Sequence, residues 1–201
     1  MARMSPGRLL PTLASIVMLA AACTGEQQIG PSPPSSSLQL GSSPGATNAT
    51  RAPLLPTSRF ALPEFTPDTF QELLGQLKGS PVVVNFWASW CGPCRQEGPG
   101  LALVARQYGR RVQFLGVDLK DHTDAAQIFI RDFGYPYPSV ADPQGAIQRS
   151  LGFFAQPVTL FLDRDGNRVP VEQEGAGRVQ QYSGAIPEDI LRAVVGHLAS
   201  S

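Results

Sequence analysis

The chain contains 201 residues, among them 16 Lys and Arg, 16 Asp and Glu, two His and three Cys, so its formal net charge at pH 7 is zero. This balance excludes the concentrated positive charge that proteins use to bind nucleic acid, and it provides no basic patch for an anionic lipid surface. Beyond an N-terminal leader and a linker, the length suits one domain.

The first 22 residues form a segment typical of a secretory signal peptide. Arg3 and Arg8 supply its basic region, and Leu9 to Ala22 supply an apolar stretch that is too short to span a membrane comfortably. The letters LAAAC at its end resemble the lipobox of bacterial lipoproteins, in which the signal is cleaved and the cysteine receives lipid. The resemblance implies that Cys23 is the first mature residue and anchors the protein to a membrane. The alternative is ordinary cleavage nearby, which leaves Cys23 as an odd thiol.

A stretch rich in Ser, Pro, Gly and Ala runs from the first cysteine to Thr57 with scarcely any charge. Such a composition cannot bury enough apolar surface to offset the entropy that the chain loses on ordering. We therefore predict three segments. These are a signal peptide at residues 1–22, a lipidated cysteine with a flexible linker at 23–57, and a folded domain at 58–201.

The domain alternates between helix and strand patterns. Helices are predicted at 65–79, 93–108, 122–134, 146–151 and from Pro187 onward, and strands at 81–88, 112–119, 158–163 and 168–173. This order predicts an α/β fold in which helices cover both faces of a sheet. In the third helix, Ala125, Ile128 and Phe129 have the spacing of a buried face. Thr123 is the expected cap of that helix, and Gly134 is its expected end.

Two cysteines, Cys91 and Cys94, stand in the letters WCGPC between the strand at 81–88 and the helix at 93–108. Unpaired N–H groups and the positive end of the helix dipole stabilise an anion there, so the pKa of the Cys91 thiol should be lowered. Pro93 suits the first helical turn, where its missing N–H would be unpaired anyway. Cys94 lies one turn further on, within reach of the first sulfur, which is geometry suited to thiol–disulfide exchange.

Three other interpretations of the pair are weaker. A structural zinc site needs about four ligands, and the domain adds only His122 and His197, which are distant in sequence, so we expect no metal and no cofactor. A structural disulfide that encloses two residues constrains the unfolded chain little and therefore stabilises little. An inert buried pair fits poorly with the neighbouring Trp90 and with the position between strand and helix.

The letters FWASWCGPC match the redox site of the thioredoxin fold residue for residue over their central part. The closer resemblance is to the extracytoplasmic, membrane-anchored TlpA/ResA/DsbE-like thiol-disulfide oxidoreductases. It rests on NFWASWCGPCRQEGP, on YPSVADPQGAIQRSLGFFAQPVTLFLDRDGNRV, on AQPVT within it and on the lipoprotein-like start. The likeness covers about Phe60 to Leu198. It implies a thioredoxin-like fold with a mixed central sheet, helices on both faces and a central insert.

The resemblance also implies roles for individual residues. Cys91 would attack a substrate disulfide, and Cys94 would resolve the mixed disulfide that forms. Trp90 would shape the apolar surface beside them. Gln156 and Pro157, in a loop that resembles the cis-proline loop of the family, would offer backbone contacts to an extended substrate segment.

A carboxylate completes the implied site. Glu97 would accept the proton that tunes the thiols, although a carboxylate in the first turns of a helix is just as naturally a dipole-stabilising residue. Asn85 departs from cytosolic thioredoxins, which have a buried aspartate at this point of the strand. Because an amide cannot take up a proton, Glu97 is the only acid near the pair in the sequence.

The resemblance implies an enzyme that acts outside the cytoplasm, either anchored to the outer face of the cell membrane through Cys23 or secreted. Its substrates would be exported proteins with cysteine pairs, apocytochrome c among them, and a membrane protein would donate or accept electrons. Two directions stay open: a reductase of the cytochrome c maturation type, and an oxidant that forms disulfides in exported proteins. A tethered binding module without turnover is an alternative of another class. A peroxidase of the same fold is disfavoured by the cysteine pair beside Trp90.

The mature protein isolated from cells should begin at Cys23 and carry lipid on that residue, because lipidation removes an unpaired thiol that would otherwise be reactive. Mass spectrometry of the N-terminal peptide measures this. A Cys23→Ser variant, which cannot take lipid on sulfur, should leave the membrane fraction. An unmodified Cys23 at the mature terminus, or cleavage at another point, contradicts the prediction.

Overall fold

The computed structural model of the protein describes residues 52–201. The predicted signal peptide at 1–22, the lipidation site Cys23 and most of the predicted linker lie outside the described residues and stay predictions. Within the described range, no helix combines the length and the apolar character needed to cross a membrane.

Strands in the described part of the chain form a five-stranded mixed sheet in the order β3-β2-β1-β4-β7 and a separate pair, β5 with β6. The strands are β1 Val82–Trp87, β2 Gln113–Leu119, β3 Ser139–Asp142, β4 Val158–Leu162, β5 Val171–Gln173, β6 Gly177–Val179 and β7 Tyr182–Ser183. Strand β1 lies at the centre, parallel to β2 and antiparallel to β4. All six of its residues are buried, which explains why its sequence is a continuous apolar run rather than an alternating one.

Helices cover both faces of this sheet, as the sequence predicts. They are α1 Pro67–Gln76, α2 Gly92–Tyr108, α3 Thr123–Phe133, α4 Ala146–Ser150 and α5 Glu188–Leu198. On one face, Phe70 and Leu73 of α1 and Ile147 of α4 pack in one apolar cluster. Helices α2, α3 and α5 contribute to the cluster on the other face, where α2 contacts both of its neighbours. The predicted fold class is confirmed in its mixed sheet and two helical layers.

The buried face of α3 differs from the predicted one. Ile128 is 50% exposed, whereas Ala126, Phe129 and Ile130 are buried. The difference arises because the Phe129 ring stacks on the Trp87 indole, with 4.6 Å between ring centroids, and this contact sets the rotation of the helix. The N-cap is His122 rather than the expected Thr123, while Gly134 ends the helix in the left-handed conformation as predicted.

Short strands were the elements that the pattern did not predict. Strand β3 follows Pro138 and carries polar residues at both ends, Ser139 and Asp142, which obscure its apolar character. Strands β6 and β7 have three and two residues, too few to show a period. Strand β3 and helix α4 lie in the stretch that resembles the central insert.

The segment just before the expected domain start already contacts the domain. Leu54 and Leu55 pack against the cluster beneath α1. The Gln76 side chain accepts a hydrogen bond from the Leu54 N–H at 2.9 Å and donates one to the Ala52 carbonyl oxygen at 3.3 Å. Contacts with the domain therefore extend into the range 52–57, which the composition assigns to the linker.

A glycine in β2 is required by the packing of its neighbours. A Cβ atom on Gly116 would lie 2.1 Å from Ser139 Oγ and 2.7 Å from Trp87 Nε1. Both side chains are held by the core, Trp87 through its stack on Phe129. The absence of a side chain at position 116 therefore leaves room for the Trp87 indole and the Ser139 side chain.

Gly116→Ala should lower the free energy of unfolding by about 1–3 kcal/mol, because overpacking in a rigid core forces side chains and backbone to shift. Urea unfolding of the oxidised protein measures this. The matched control is Gly75→Ala in α1, where a Cβ would meet nothing within 4 Å. That change should leave stability unchanged or raise it by up to about 1 kcal/mol. Equal midpoints for Gly116→Ala and wild type would contradict the packing argument.

Candidate active site

The cysteine pair lies where β1 leaves the sheet and α2 begins. Cys91 is the N-cap of α2, with extended backbone, and Cys94 is in the first turn. The two form a disulfide with their Cα atoms 5.2 Å apart. Cys91 is 5% exposed and Cys94 is completely buried, so Cys91 is the sulfur nearer to solvent.

The helix N-terminus acts directly on the Cys91 sulfur. Cys91 Sγ accepts a hydrogen bond from the Cys94 backbone N–H, with 3.2 Å between nitrogen and sulfur. A side chain that accepts such a bond at an N-cap satisfies one of the N–H groups that a helix leaves unpaired at its start. After reduction, the same donor and the helix dipole would favour the thiolate of Cys91 over its thiol.

Trp90 is a large aromatic side chain at the surface next to the pair. It is 58% exposed, and its Nε1 donates a hydrogen bond to the Lys120 carbonyl oxygen at 3.2 Å. Lys120 has φ 50° and lies in the left-handed region, which costs a residue other than glycine about 1–3 kcal/mol. The turn after β2 thus holds a strained residue whose carbonyl oxygen orients Trp90.

Glu97 lies one helical turn beyond Cys94 and is only 4% exposed. Its Oε1 accepts a hydrogen bond from Asn85 Nδ2 at 2.8 Å, and its Oε2 accepts one from the Ile186 N–H at 2.9 Å. Asn85 Nδ2 also lies 3.2 Å from Thr159 Oγ1, which it can donate to. The side chain that replaces the aspartate of cytosolic thioredoxins is therefore a direct hydrogen-bond donor to the carboxyl group of Glu97.

Burial raises the pKa of Glu97 from 4.5 to about 7, and the hydrogen bonds from Ile186 and Asn85 oppose this shift. A carboxyl group with such a pKa exchanges protons readily at neutral pH. Glu97 also lines a surface cavity of about 340 Å³ between the start of α2 and the segment before α5. Neither Cys91 nor Cys94 is among the residues that line this cavity.

The peptide bond between Gln156 and Pro157 is cis, as predicted from the sequence. Strand β4 starts directly afterwards, and its Val158 pairs with Phe86 of β1. This register places Pro157 beside the C-terminal end of β1, the end from which the chain continues to Cys91. The structure thus brings the predicted residues of β1, α2 and the proline loop to the same end of the central strands. Cys23 lies outside the described residues.

Two further carboxyl groups near the pair were missed. Asp121 accepts hydrogen bonds from the backbone N–H and the hydroxyl group of Ser89, two residues before Cys91. Asp118 is 3% exposed at the end of β2, opposite Trp87. Glu97 is therefore the nearest acid in the sequence but not the only acid near the pair in space. The available signal was Asp118 itself, a charged residue inside a strand that is otherwise apolar.

Comparison with known proteins agrees with this geometry. Residues 58–168 match the model of the AhpC/TSA family. The thiol:disulfide interchange protein HelX of Rhodobacter capsulatus is 36% identical over 115 residues, which are 56% of this chain and 57% of HelX. The chain thus matches less than two thirds of the length of that relative.

Solved structures show the same fold. A secreted Mycobacterium tuberculosis disulfide oxidoreductase homologous to Escherichia coli DsbE superposes with a TM-score of 0.53 at 27% identity, covering 62% of this chain and 86% of that one. A structure of MTB dsbF in mixed oxidized and reduced forms has a TM-score of 0.51 at 31% identity, covering 61% and 84%. The thioredoxin-like fold and the resemblance to DsbE-like proteins are confirmed.

The Glu97→Gln variant should lose part of the pH dependence of stability. Because folding raises the pKa of Glu97 from 4.5 to about 7, the folded protein keeps a proton that the unfolded chain releases. The free energy of unfolding should therefore fall as pH rises from about 4.5 to about 7, by on the order of 3 kcal/mol from this group. Glutamine does not titrate, so the variant should lack this decrease. Urea unfolding of the oxidised protein across this range measures the difference.

The matched control is Glu172→Gln, which changes an exposed glutamate on β5. This control should keep the wild-type dependence of stability on pH. If Glu97→Gln also keeps it, Glu97 titrates as an ordinary surface carboxyl group, and its assignment as the proton acceptor of the thiols loses its support.

Proposed function

The chain belongs to the AhpC/TSA family, and we propose that it is a thiol-disulfide oxidoreductase whose Cys91–Cys94 pair exchanges with disulfides of exported proteins. The observation that carries the proposal is the position of Cys91 at the N-cap of α2, where its sulfur accepts the Cys94 N–H. A sulfur held there is a good nucleophile as thiolate and a good leaving group in a disulfide. The HelX relative is named a thiol:disulfide interchange protein, in agreement with this chemistry.

The reaction follows from the order of exposure of the two sulfurs. In the reduced protein, the Cys91 thiolate attacks one sulfur of a substrate disulfide, and the other substrate sulfur leaves as a thiolate and takes up a proton. Cys94 then gives its proton to Glu97 and attacks Cys91 Sγ, which releases the second substrate sulfur. Two electrons pass from the cysteine pair to the substrate. One substrate thiolate takes its proton from solvent, the other takes up the proton that Cys94 gave to Glu97, directly or through solvent, and the protein is left with its Cys91–Cys94 disulfide.

Glu97 is suited to the proton transfer in this scheme. It lies three residues after Cys94, so both side chains project from the same face of α2. Its pKa of about 7 leaves it partly ionised at neutral pH, able to take the Cys94 proton and to return it. The cavity beside Glu97 lets that proton equilibrate with solvent while a substrate covers the sulfurs.

The substrate surface combines Trp90 with the proline loop. Trp90 presents an exposed aromatic ring beside Cys91. Gln156 and Pro157 present backbone at the neighbouring edge of the sheet, where an extended segment carrying a cysteine can bind. This arrangement favours protein substrates in extended conformation over small molecules.

We propose that the protein acts as a reductase of the cytochrome c maturation type. Gly92 and Pro93 carry no charge between the cysteines, so they cannot stabilise the reduced form as strong oxidants do. Arg95 is the first charged residue after the pair, and its charge is engaged by other groups than the sulfurs. Its guanidinium group lies over the Phe133 ring at 5.3 Å and donates to the Ser89 carbonyl oxygen. A buried carboxyl group one turn beyond Cys94 further disfavours a second negative charge on the sulfurs.

The location and partners are proposed from the N-terminal sequence and from the relatives. Lipidation of Cys23 would hold the domain at the outer face of the cell membrane, with the linker giving it reach. Its substrates would be exported proteins with cysteine pairs, such as apocytochrome c, and a membrane protein would return the pair to the dithiol form. The Mycobacterium tuberculosis structure is described as secreted, which agrees with action outside the cytoplasm.

The reduction potential of the Cys91–Cys94 pair tests the direction of electron flow. Equilibration in a dithiothreitol redox buffer should give a value near or below that of thioredoxin, about −270 mV, if the protein is a reductase. A value close to that of the strong oxidant DsbA, about −120 mV, would instead support formation of disulfides.

Turnover in insulin reduction tests whether the protein is an enzyme. Wild type should be active, Cys91→Ser inactive, and Cys94→Ser should accumulate a mixed disulfide through Cys91. Cys23→Ser, which removes the third cysteine, is the matched control and should keep full activity. Activity that survives Cys91→Ser would contradict the mechanism, and a wild type without turnover in either direction would favour a binding module.

A further inference from the structure

The segment that carries Cys91 is held by the turn after β2 through several hydrogen bonds. Asp121 accepts from both the N–H and the hydroxyl group of Ser89, and the Lys120 carbonyl oxygen accepts from Trp90 Nε1. On the other side, Arg95 Nη1 donates to the Ser89 carbonyl oxygen at 3.3 Å. Every polar backbone or side-chain group of Ser89 thus has a partner, and Asp121 supplies two of them.

A second buried carboxyl group contacts Asp121 from within the sheet. Asp118 is 3% exposed, and its Oδ1 has no hydrogen-bond partner among the described residues. Burial, the charge of Asp121 and a hydrogen bond with Asp121 together raise the pKa of Asp118 to about 8. Two carboxyl groups in contact repel each other strongly when both are ionised, so Asp118, which is buried, keeps its proton at neutral pH.

We propose that the proton on Asp118, beside Asp121, positions the segment from Ser89 to Cys91, and that its loss at alkaline pH loosens this segment. Asp118 and Asp121 are thus positioning residues for Cys91 and do not contact the reacting atoms. The inference deepens the proposed function and rests on it where it treats Cys91 as the attacking sulfur. The strained Lys120 agrees with it, because such a conformation persists only where surrounding contacts hold it.

The strands on either side of Asp118 present uncharged residues to it. Strand β1 presents Trp87 to Asp118, and β3 presents Ala141. The charged or titratable groups of the neighbouring elements are Arg95 on α2, Lys120 in the turn, His122, Asp124, Arg131 and Asp132 at the start of α3 or on it, Asp142 on β3, and Tyr135 and Tyr137 after α3. Arg95 is bound to Ser89 and Lys120 lies against Gly145.

The indole N–H signal of Trp90 in ¹H–¹⁵N NMR spectra reports this event without substrate. The chain has two tryptophans, Trp87 and Trp90, and Trp90→Phe assigns the signals. In the oxidised wild type, the Trp90 signal should shift with a midpoint near pH 8, as the Asp118 pKa indicates. In Asp118→Asn this step should be lost and the signal should stay at its low-pH position, because the amide donates to Asp121 at every pH.

A second variant keeps the test decisive if Asp118→Asn does not fold. Ser89→Ala removes one donor to Asp121, which destabilises the doubly ionised pair and should move the midpoint to higher pH. Asp124→Asn, an exposed carboxyl group at the start of α3, is the matched control and should keep the wild-type midpoint. Glu97→Gln should also keep the wild-type midpoint, because the hydrogen bonds of Glu97 go to Asn85 and Ile186 and not to Asp118 or Asp121.

The rate of attack by Cys91 gives the functional readout. Reduction of a small disulfide by the reduced protein should be equal for wild type and Asp118→Asn near neutral pH, and wild type should fall below the variant on the alkaline side of the midpoint. An alkaline step that stays unchanged in Asp118→Asn or in Ser89→Ala overturns the inference. Because the NMR titration needs no turnover, an inactive protein would refute the proposed function while leaving this result readable.

Discussion

The burial of β1 on both faces is the constraint on which the rest of the structure depends. This strand is paired with a parallel neighbour on one edge and an antiparallel neighbour on the other, so its register is fixed from both sides. Asn85 on this strand directs its amide at Glu97, and Trp87 orders the layer formed by α3. Only residues 88–90 separate the end of β1 from the N-cap of α2, and this short connection holds the sulfur of Cys91 at the helix N-terminus.

Buried carboxyl groups occur in two places near the cysteine pair. Glu97 is inside α2 and is reached through the cavity beside α5, whereas Asp118 and Asp121 lie beneath the segment that precedes Cys91. In both places a carboxyl group is kept away from water and its pKa is raised by burial. Burial of these carboxyl groups thus moves their titration from the acidic range to near neutral and slightly alkaline pH.

Most of the fold could be predicted from local pattern. The apolar run of β1, the amphipathic spacing of α1 and α5 and the glycine stop at Gly134 are local signals, and the structure agrees with them. The rotation of α3 could not be predicted, because both Ile128 and Ile130 fit a helical stripe and the choice between them depends on the stack of Phe129 on Trp87. Strands of two or three residues were missed because they are formed by pairing partners rather than by their own composition.

The sequence by itself determined the pair of sulfurs, their position at a strand-to-helix junction and the cis proline before β4, since each is encoded within a few consecutive residues. The tertiary structure alone decided which acids besides Glu97 lie near the pair. Glu97 is near Cys94 because three residues make one helical turn. Asp118 and Asp121 are near Ser89 because β2 lies beside β1 in the sheet, more than 25 residues further along the chain. Proximity through strand pairing has no local signature, and the pKa of a carboxyl group depends on that proximity and on burial.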